Sequence, residues 1–170
     1  MQPQRLQPRH APIYRELMLE AYGLHPDAFT SSVAERSRLP LTWWESRLSA
    51  EPQAAELVLG AFLDGALAGV VGLSFESREK LRHKARLFGM YVPANRRGNG
   101  LGTTLVQAAL DAARLRSEVR TVHLTVSETN QRARSLYEKC GFVAFGLEPM
   151  AVAVGPTFVS KVHMDFSIGR

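Results

Sequence analysis

One stretch, residues 86–116, limits what this chain can fold into more than any other. Residues 87–92 are apolar except for Gly89 and dense in β-formers, which reads as a buried strand that Pro93 stops. Gly98, Gly100 and Gly102 follow at alternate positions. Behind them Leu101, Leu105, Ala108, Ala112 and Leu115 recur at spacings of four and three, the face of an amphipathic helix of about four turns. A strand, a tight glycine turn and a helix that begins inside the turn leave backbone N–H groups unpartnered where the positive end of the helix dipole points. Such a mouth binds anions, and Arg96 and Arg97 add formal charge beside it. The plainer alternative is a strand-to-helix turn that needs glycine only for positive φ.

Two nucleotide motifs fail here on spacing. A P-loop needs G-x-x-x-x-G-K-[ST], but Gly98 and Gly102 are one residue too close and Thr103 stands where the lysine belongs. A dinucleotide fingerprint needs G-x-G-x-x-G, and Thr103 takes the third glycine's place. The arrangement present is R-x-x-G-x-G, as Arg97, Gly100 and Gly102, with Met90-Tyr91-Val92 upstream.

The rest of the chain narrows the setting. Its 170 residues suit one domain, 1–170, without visible linker, repeat or low-complexity tract. No apolar run approaches the roughly 20 residues needed to cross a bilayer, so no membrane partner is expected. Residues 1–10 lack the apolar core of a secretory signal. Cys140 is the single cysteine; it excludes an internal disulfide and builds no recognisable metal site with five scattered histidines. A reducing, cytoplasmic location is the expectation. The net charge of +5 suits an anionic cofactor, while the lack of a lysine-arginine block with interleaved aromatics argues against nucleic acid.

Taken in order, residues 5–7 are a short extended candidate, and Tyr14, Leu17, Met18, Ala21 and Tyr22 mark a first helix ending near Gly23. Ser32 and Glu35 form a capping-box pattern for a second helical piece, and residues 42–48 make another. Residues 57–63 and 67–75 flank Asp64-Gly65, the strongest local hairpin signal. The strand at 82–92 follows, with Glu76 expected opposite His83. After the long helix, residues 121–126 read as a strand reached by a helical crossover, hence parallel to the previous one. Asn130 caps a helix carrying Ala133, Leu136, Tyr137 and Cys140 and closed by Gly141, and residues 142–145, 150–154 and 158–166 form a β-rich end.

The glycine motif resembles the acyl-CoA-binding turn of the GNAT superfamily of N-acetyltransferases. Residues 130–142 resemble that family's second motif, N-x-x-A-x-x-L-Y-x-x-x-G-F, with Asn130, Ala133, Leu136, Tyr137, Gly141 and Phe142 all in place. The resemblance covers nearly the whole chain. It implies an α/β fold: a mixed, mostly antiparallel sheet of about seven strands with a splayed parallel pair, and about four helices. It further implies transfer of an acetyl group from acetyl-CoA to a primary amine by direct attack, with no metal. The pyrophosphate of CoA would lie on Arg97, Gly98, Asn99, Gly100, Leu101, Gly102 and Thr103. Pantetheine would pair with the backbone of Met90, Tyr91 and Val92 and touch Asn130. The amide of Met90 or Tyr91 would stabilise the oxyanion, and Tyr137 would protonate the departing thiolate. An ordinary core strand, a core tyrosine and a plain N-cap are the competing readings of these positions. Homodimers are common in the family.

A general base is missing from the pattern. Many family members carry a glutamate on the central strand, but positions 87–91 are Leu, Phe, Gly, Met and Tyr. His83 lies some 20 Å up the strand from Met90, too far for proton transfer. His123 is the less apt remaining candidate and Glu128 the better placed, against its plain reading as a solvated loop residue; a water chain is the alternative. The family's acceptor pocket maps to residues 25–32 and 155–158, which makes Asp27, Phe29 and Phe158 candidates for a small-molecule or peptide amine, with Glu35, Glu148 and Trp43 behind them. Without a base the same fold also suits a CoA-binding sensor that turns nothing over.

Overall fold

The computed structural model describes residues 1–169. Seven strands form one sheet in the order β1-β2-β3-β4-β5-β7-β6. They are β1 (Gln4–Arg5), β2 (Glu56–Leu63), β3 (Ala66–Phe75), β4 (Lys84–Tyr91), β5 (Thr121–Ser127), β6 (Val143–Val154) and β7 (Thr157–Ser167). Every neighbouring pair is antiparallel except β4 with β5. The helices are α1 (Ala11–Leu24), α2 (Val33–Ser37), α3 (Leu41–Arg47), α4 (Leu101–Arg114) and α5 (Gln131–Lys139). Five helices therefore stand where about four were expected. Only the count implied by the resemblance is short by one: the spacing already marks all five, including α2, a short turn that its own capping box completes, where Ser32 Oγ accepts from the Glu35 amide and Glu35 Oε2 from the Ser32 amide.

Two apolar layers sandwich the sheet. On one face α4 sets Leu105, Val106, Ala109 and Leu110 against Leu73, Leu87, Val122 and Leu124, with Tyr137 of α5 at the edge. On the other, α1 and α3 bury Tyr14, Met18 and Trp44 over Val58, Val70 and Tyr91. The buried stripe of α4 lies one position round from the one expected: Ala108 and Ala112 are half-buried, and Leu115, just past the helix end, is 86% exposed. Deleting Leu105 to alanine in so closed a layer costs about 2–5 kcal/mol.

Local turn chemistry explains the connections. Asp64 and Gly65 both take positive φ, 50° and 79°, as a two-residue hairpin of matching twist requires. The ladder places Phe75 opposite Ala85 and bonds the Glu76 amide to the Lys84 carbonyl, so Glu76 does not face His83 as expected. The two C-terminal segments read as 142–145 and 150–154 are one strand, β6, whose ladder to β7 is interrupted by two irregularities.

The decisive irregularity is in β4. Gly72 pairs with Phe88 and Val70 with Tyr91, so Gly89 and Met90 together oppose Val71. Gly89 adopts φ 55°, the left-handed turn such a bulge needs. The extra residue flips the alternation: Ala85 and Leu87 face the α4 layer, then Met90 and Val92 do, while Tyr91 turns under α1. A bulge also bends its strand, and here the bend takes β4 away from β5.

Candidate active site

The parallel ladder between β4 and β5 lasts only three rungs, Lys84 to Thr121, Ala85 to Val122 and Arg86 to His123. Past it the two strands separate, with β4 still held by β3 and β5 by β7. The backbone edge of β4 beyond Arg86 is thereby left without a β5 partner. A cleft of about 660 Å³ occupies the gap, reaching from the glycine turn to the loop after α1.

At one end of the cleft is the mouth of α4. Gly98 and Gly100 take φ 89° and 79°, and a Cβ on either would meet nothing within 4 Å, so conformation demands glycine there and the space above stays clear. Gly102 is different: a Cβ there would sit 3.0 Å from Leu136 of α5. The amides of Gly98, Asn99, Gly100, Gly102 and Thr103 find no backbone acceptor among the described residues. The amide of Leu101 does have a partner, the Asn99 side chain at 3.3 Å. Asn99 thus caps the helix and is not part of the cleft wall, unlike Arg97, Gly98, Gly100, Leu101, Gly102 and Thr103. Arg97 donates through Nε to the Val92 carbonyl at 2.7 Å. That carbonyl, expected to be open to a ligand, is therefore taken, although Val92 still lines the gap with Met90 and Tyr91.

Across the gap, Asn130 accepts from the Ala133 amide at 3.1 Å and so starts α5, worth about 1 kcal/mol as an N-cap. The helix carries Tyr137 to the cleft wall. Its ring is 7% exposed and meets Phe142 edge-on at 5.9 Å. Its hydroxyl has no hydrogen-bond partner among the described residues, yet it is not sealed in the interior as Arg5 Nε and Trp44 Nε1 are. Burial, with a smaller contribution from Cys140, pushes the phenol pKa well above its usual value.

The remaining expected residues divide. Asp27 and Phe29 line the far end of the cleft, Phe29 stacking edge-on against Tyr22 at 5.4 Å. Glu128 is exposed at the end of β5 and Phe158 is 58% exposed on the β6–β7 hairpin; neither lines the cleft. Glu35 is occupied by its capping box and Glu148 by His163 at 2.7 Å. The Tyr91 hydroxyl is bound to Glu20 at 2.8 Å, and burial with that bond lifts its pKa to about 12. Residues 155–158 contribute nothing to the cleft, whose wall on that side comes from Ser127 and Lys161 instead. Ser127 hydroxyl donates to the Asp27 carbonyl and fixes the α1–α2 loop over the gap. Arg86, Ser127 and Lys161 escaped the sequence reading, though the alternation Lys161-Val162-His163-Met164-Asp165-Phe166 places Lys161 on the face away from α4.

A mixed sheet opened at its parallel pair, with a glycine-built helix mouth below the opening, defines an acyltransferase architecture. Residues 13–142 match the model of the acetyltransferase (GNAT) family, and the chain belongs to that family. An acetyltransferase of the GNAT family from Streptococcus pneumoniae superposes with a TM-score of 0.85 at 28% identity, covering 98% of each chain. The yncA protein of Salmonella typhimurium, solved with its cofactor acetyl-CoA, superposes at 0.81 with 19% identity over 100% of this chain and 95% of that one. The spermidine N(1)-acetyltransferase of Vibrio cholerae serotype O1 is 33% identical over 64 residues, 38% of this chain and 37% of that enzyme's length. No helix of the described residues is long and apolar enough to cross a membrane.

Proposed function

We propose that the chain is an acetyl-CoA-dependent N-acetyltransferase that passes the acetyl group straight to an amine bound in the same cleft. The observation that carries this reading is the β4–β5 ladder ending at Arg86 and His123 above a helix mouth where five amides have no partner among the described residues. The residues fit such a cofactor: open space over Gly98 and Gly100 admits a diphosphate, and the free edge of β4 admits an amide chain as a false strand. When bound, acetyl-CoA supplies an activated acyl thioester.

The chain's own residues then hold and polarise. Arg97 and the amides of Gly98, Asn99, Gly100, Gly102 and Thr103 would hold the phosphates, and Met90 to Val92 with Asn130 the arm. An amide of Met90 or Tyr91 would donate to the thioester carbonyl oxygen and stabilise negative charge there. Tyr137 keeps its proton, because burial raises its pKa, and would donate a hydrogen bond to the thioester sulfur. A thiolate is less basic than this phenol, since thiols have pKa values of about 8.5. Complete transfer from Tyr137 is therefore uphill, and the proton lost by the amine is the better source. With Glu128 outside the cleft wall, water would carry that proton from the amine to the sulfur.

The lack of a carboxylate on residues 87–91 favours a second reading, a CoA sensor without turnover. Calorimetric titration with acetyl-CoA, followed by thiol release against a panel of amines, separates them. Binding and release together support the enzyme; binding without release on any amine supports the sensor.

A further inference from the structure

The cleft sorts its charges by end. Arg97 stands at the glycine turn, whereas Lys161 lies beneath the loop that carries Asp27, with Arg86 close enough to act on its charge. Lys161 is 5% exposed. Its ammonium has one hydrogen bond, to the Ala28 carbonyl at 3.5 Å, and no carboxylate at ion-pair distance among the described residues. Glu148, its cross-strand neighbour, is bound to His163. Arg86 sits on the last rung before the strands part and has no hydrogen bond or ion pair with any described residue.

A buried ammonium with no carboxylate in ion-pair contact is costly to the fold, and Arg86, exposed and unpaired among the described residues, adds a second positive charge to the same cleft. Such a pair makes sense when a ligand brings the missing negative charge. Arg86 offers a planar fork that matches a carboxylate, and Lys161 offers a point charge beside it. Asp27, the carboxylate at this end of the cleft, is placed to attract an ammonium.

Resting on the acetyltransferase reading above, we propose that Arg86 and Lys161 bind a carboxylate carried by the acceptor, so that the substrate class is amino acids with a free amine and not polyamines. A polyamine would set a second ammonium against both cations, with Asp27 already engaged by the first.

The test compares free L-amino acids with their amides and methyl esters, and with spermidine, as acceptors for the acetyl-CoA-loaded protein. The expected result is a kcat/KM at least about tenfold higher for the best acid than for its own amide, with spermidine poorer still. In Lys161→Met and Arg86→Gln that ratio falls toward one through a raised KM for the acid; methionine keeps the stem volume, so Lys161→Met retains the packing. Amides or spermidine used as well as acids, or an unchanged ratio in both variants, overturns the carboxylate site and leaves the acetyltransferase reading intact. If no amine is turned over, calorimetry on the CoA-saturated protein decides the point separately. An acid that binds more tightly than its amide in the wild type alone supports the site; equal binding overturns it.

Discussion

The Nε of Arg97 donates to the carbonyl of Val92 at 2.7 Å, so a cation of the glycine turn is fastened to the backbone at the very end of β4. The bond couples the two halves of the cofactor site, because the same guanidinium that closes the strand end stands beside the unpaired amides. Replacing Arg97 with glutamine is expected to weaken acetyl-CoA binding about tenfold and to flatten its salt dependence. Calorimetry at two ionic strengths checks this. Unaltered affinity at low salt contradicts it.

Gly100 and Gly102 answer to different constraints, and substitutions should separate them. Valine at Gly100 forces a branched residue to φ 79°, at about 1–2 kcal/mol, and places its side chain over the mouth. The melting temperature should drop modestly while acetyl-CoA affinity falls by more than tenfold. Alanine at Gly102 instead presses on Leu136 at 3.0 Å and should cost mainly stability. Equal affinity losses in the two variants would remove the distinction.

Tyr137→Phe deletes a hydroxyl with no protein partner among the described residues, so folding should be barely affected. Turnover is expected to fall about ten- to a hundredfold, the loss of one hydrogen bond to a charged sulfur, with acetyl-CoA affinity within about twofold of wild type. Parallel loss of kcat and affinity assigns the residue to binding or packing.

Lys161 gives the stability curve a definite sign. Burial, reinforced by Arg86 and opposed by Glu148 and Asp27, lowers its pKa from the ordinary 10.5. The unfolded chain then binds more protons than the folded one between the lowered value and 10.5, so this residue's contribution to stability rises with pH through that window. At neutral pH the buried charge is a net cost. Lys161→Met should melt higher than wild type there, and its advantage should shrink as pH approaches 10.5. A lower melting temperature at neutral pH contradicts the assignment.

How much of this was legible in the chain depended on whether the cause was local. The Asn130 cap, the Ser32–Glu35 box, the Asp64-Gly65 turn and the positive-φ glycines are set within a few residues, and each is found where the spacing puts it. The parallel pair followed from the length of its crossover. Register is another matter: the bulge at Gly89 depends on how β3 lies against β4, and without it Tyr91 would face α4 instead of α1. The exposed Asn99 side chain is taken up by the Leu101 amide, a contact that the glycine pattern does not reveal. Arg86 and Lys161 come together only when β4, β5 and β7 are aligned, across more than seventy residues of sequence, and no local pattern carries that. Phe158 was placed by analogy with a hairpin that here stays clear of the cleft.

A crystal structure with saturating acetyl-CoA tests the central claim most directly. The account predicts the diphosphate against the free amides of residues 98–100, 102 and 103 and the pantetheine arm lying along β4 in the gap beyond Arg86, with the thioester near Tyr137. A cofactor seated elsewhere, or a β4–β5 ladder that closes past Arg86 and His123 with the helix mouth empty, would contradict it.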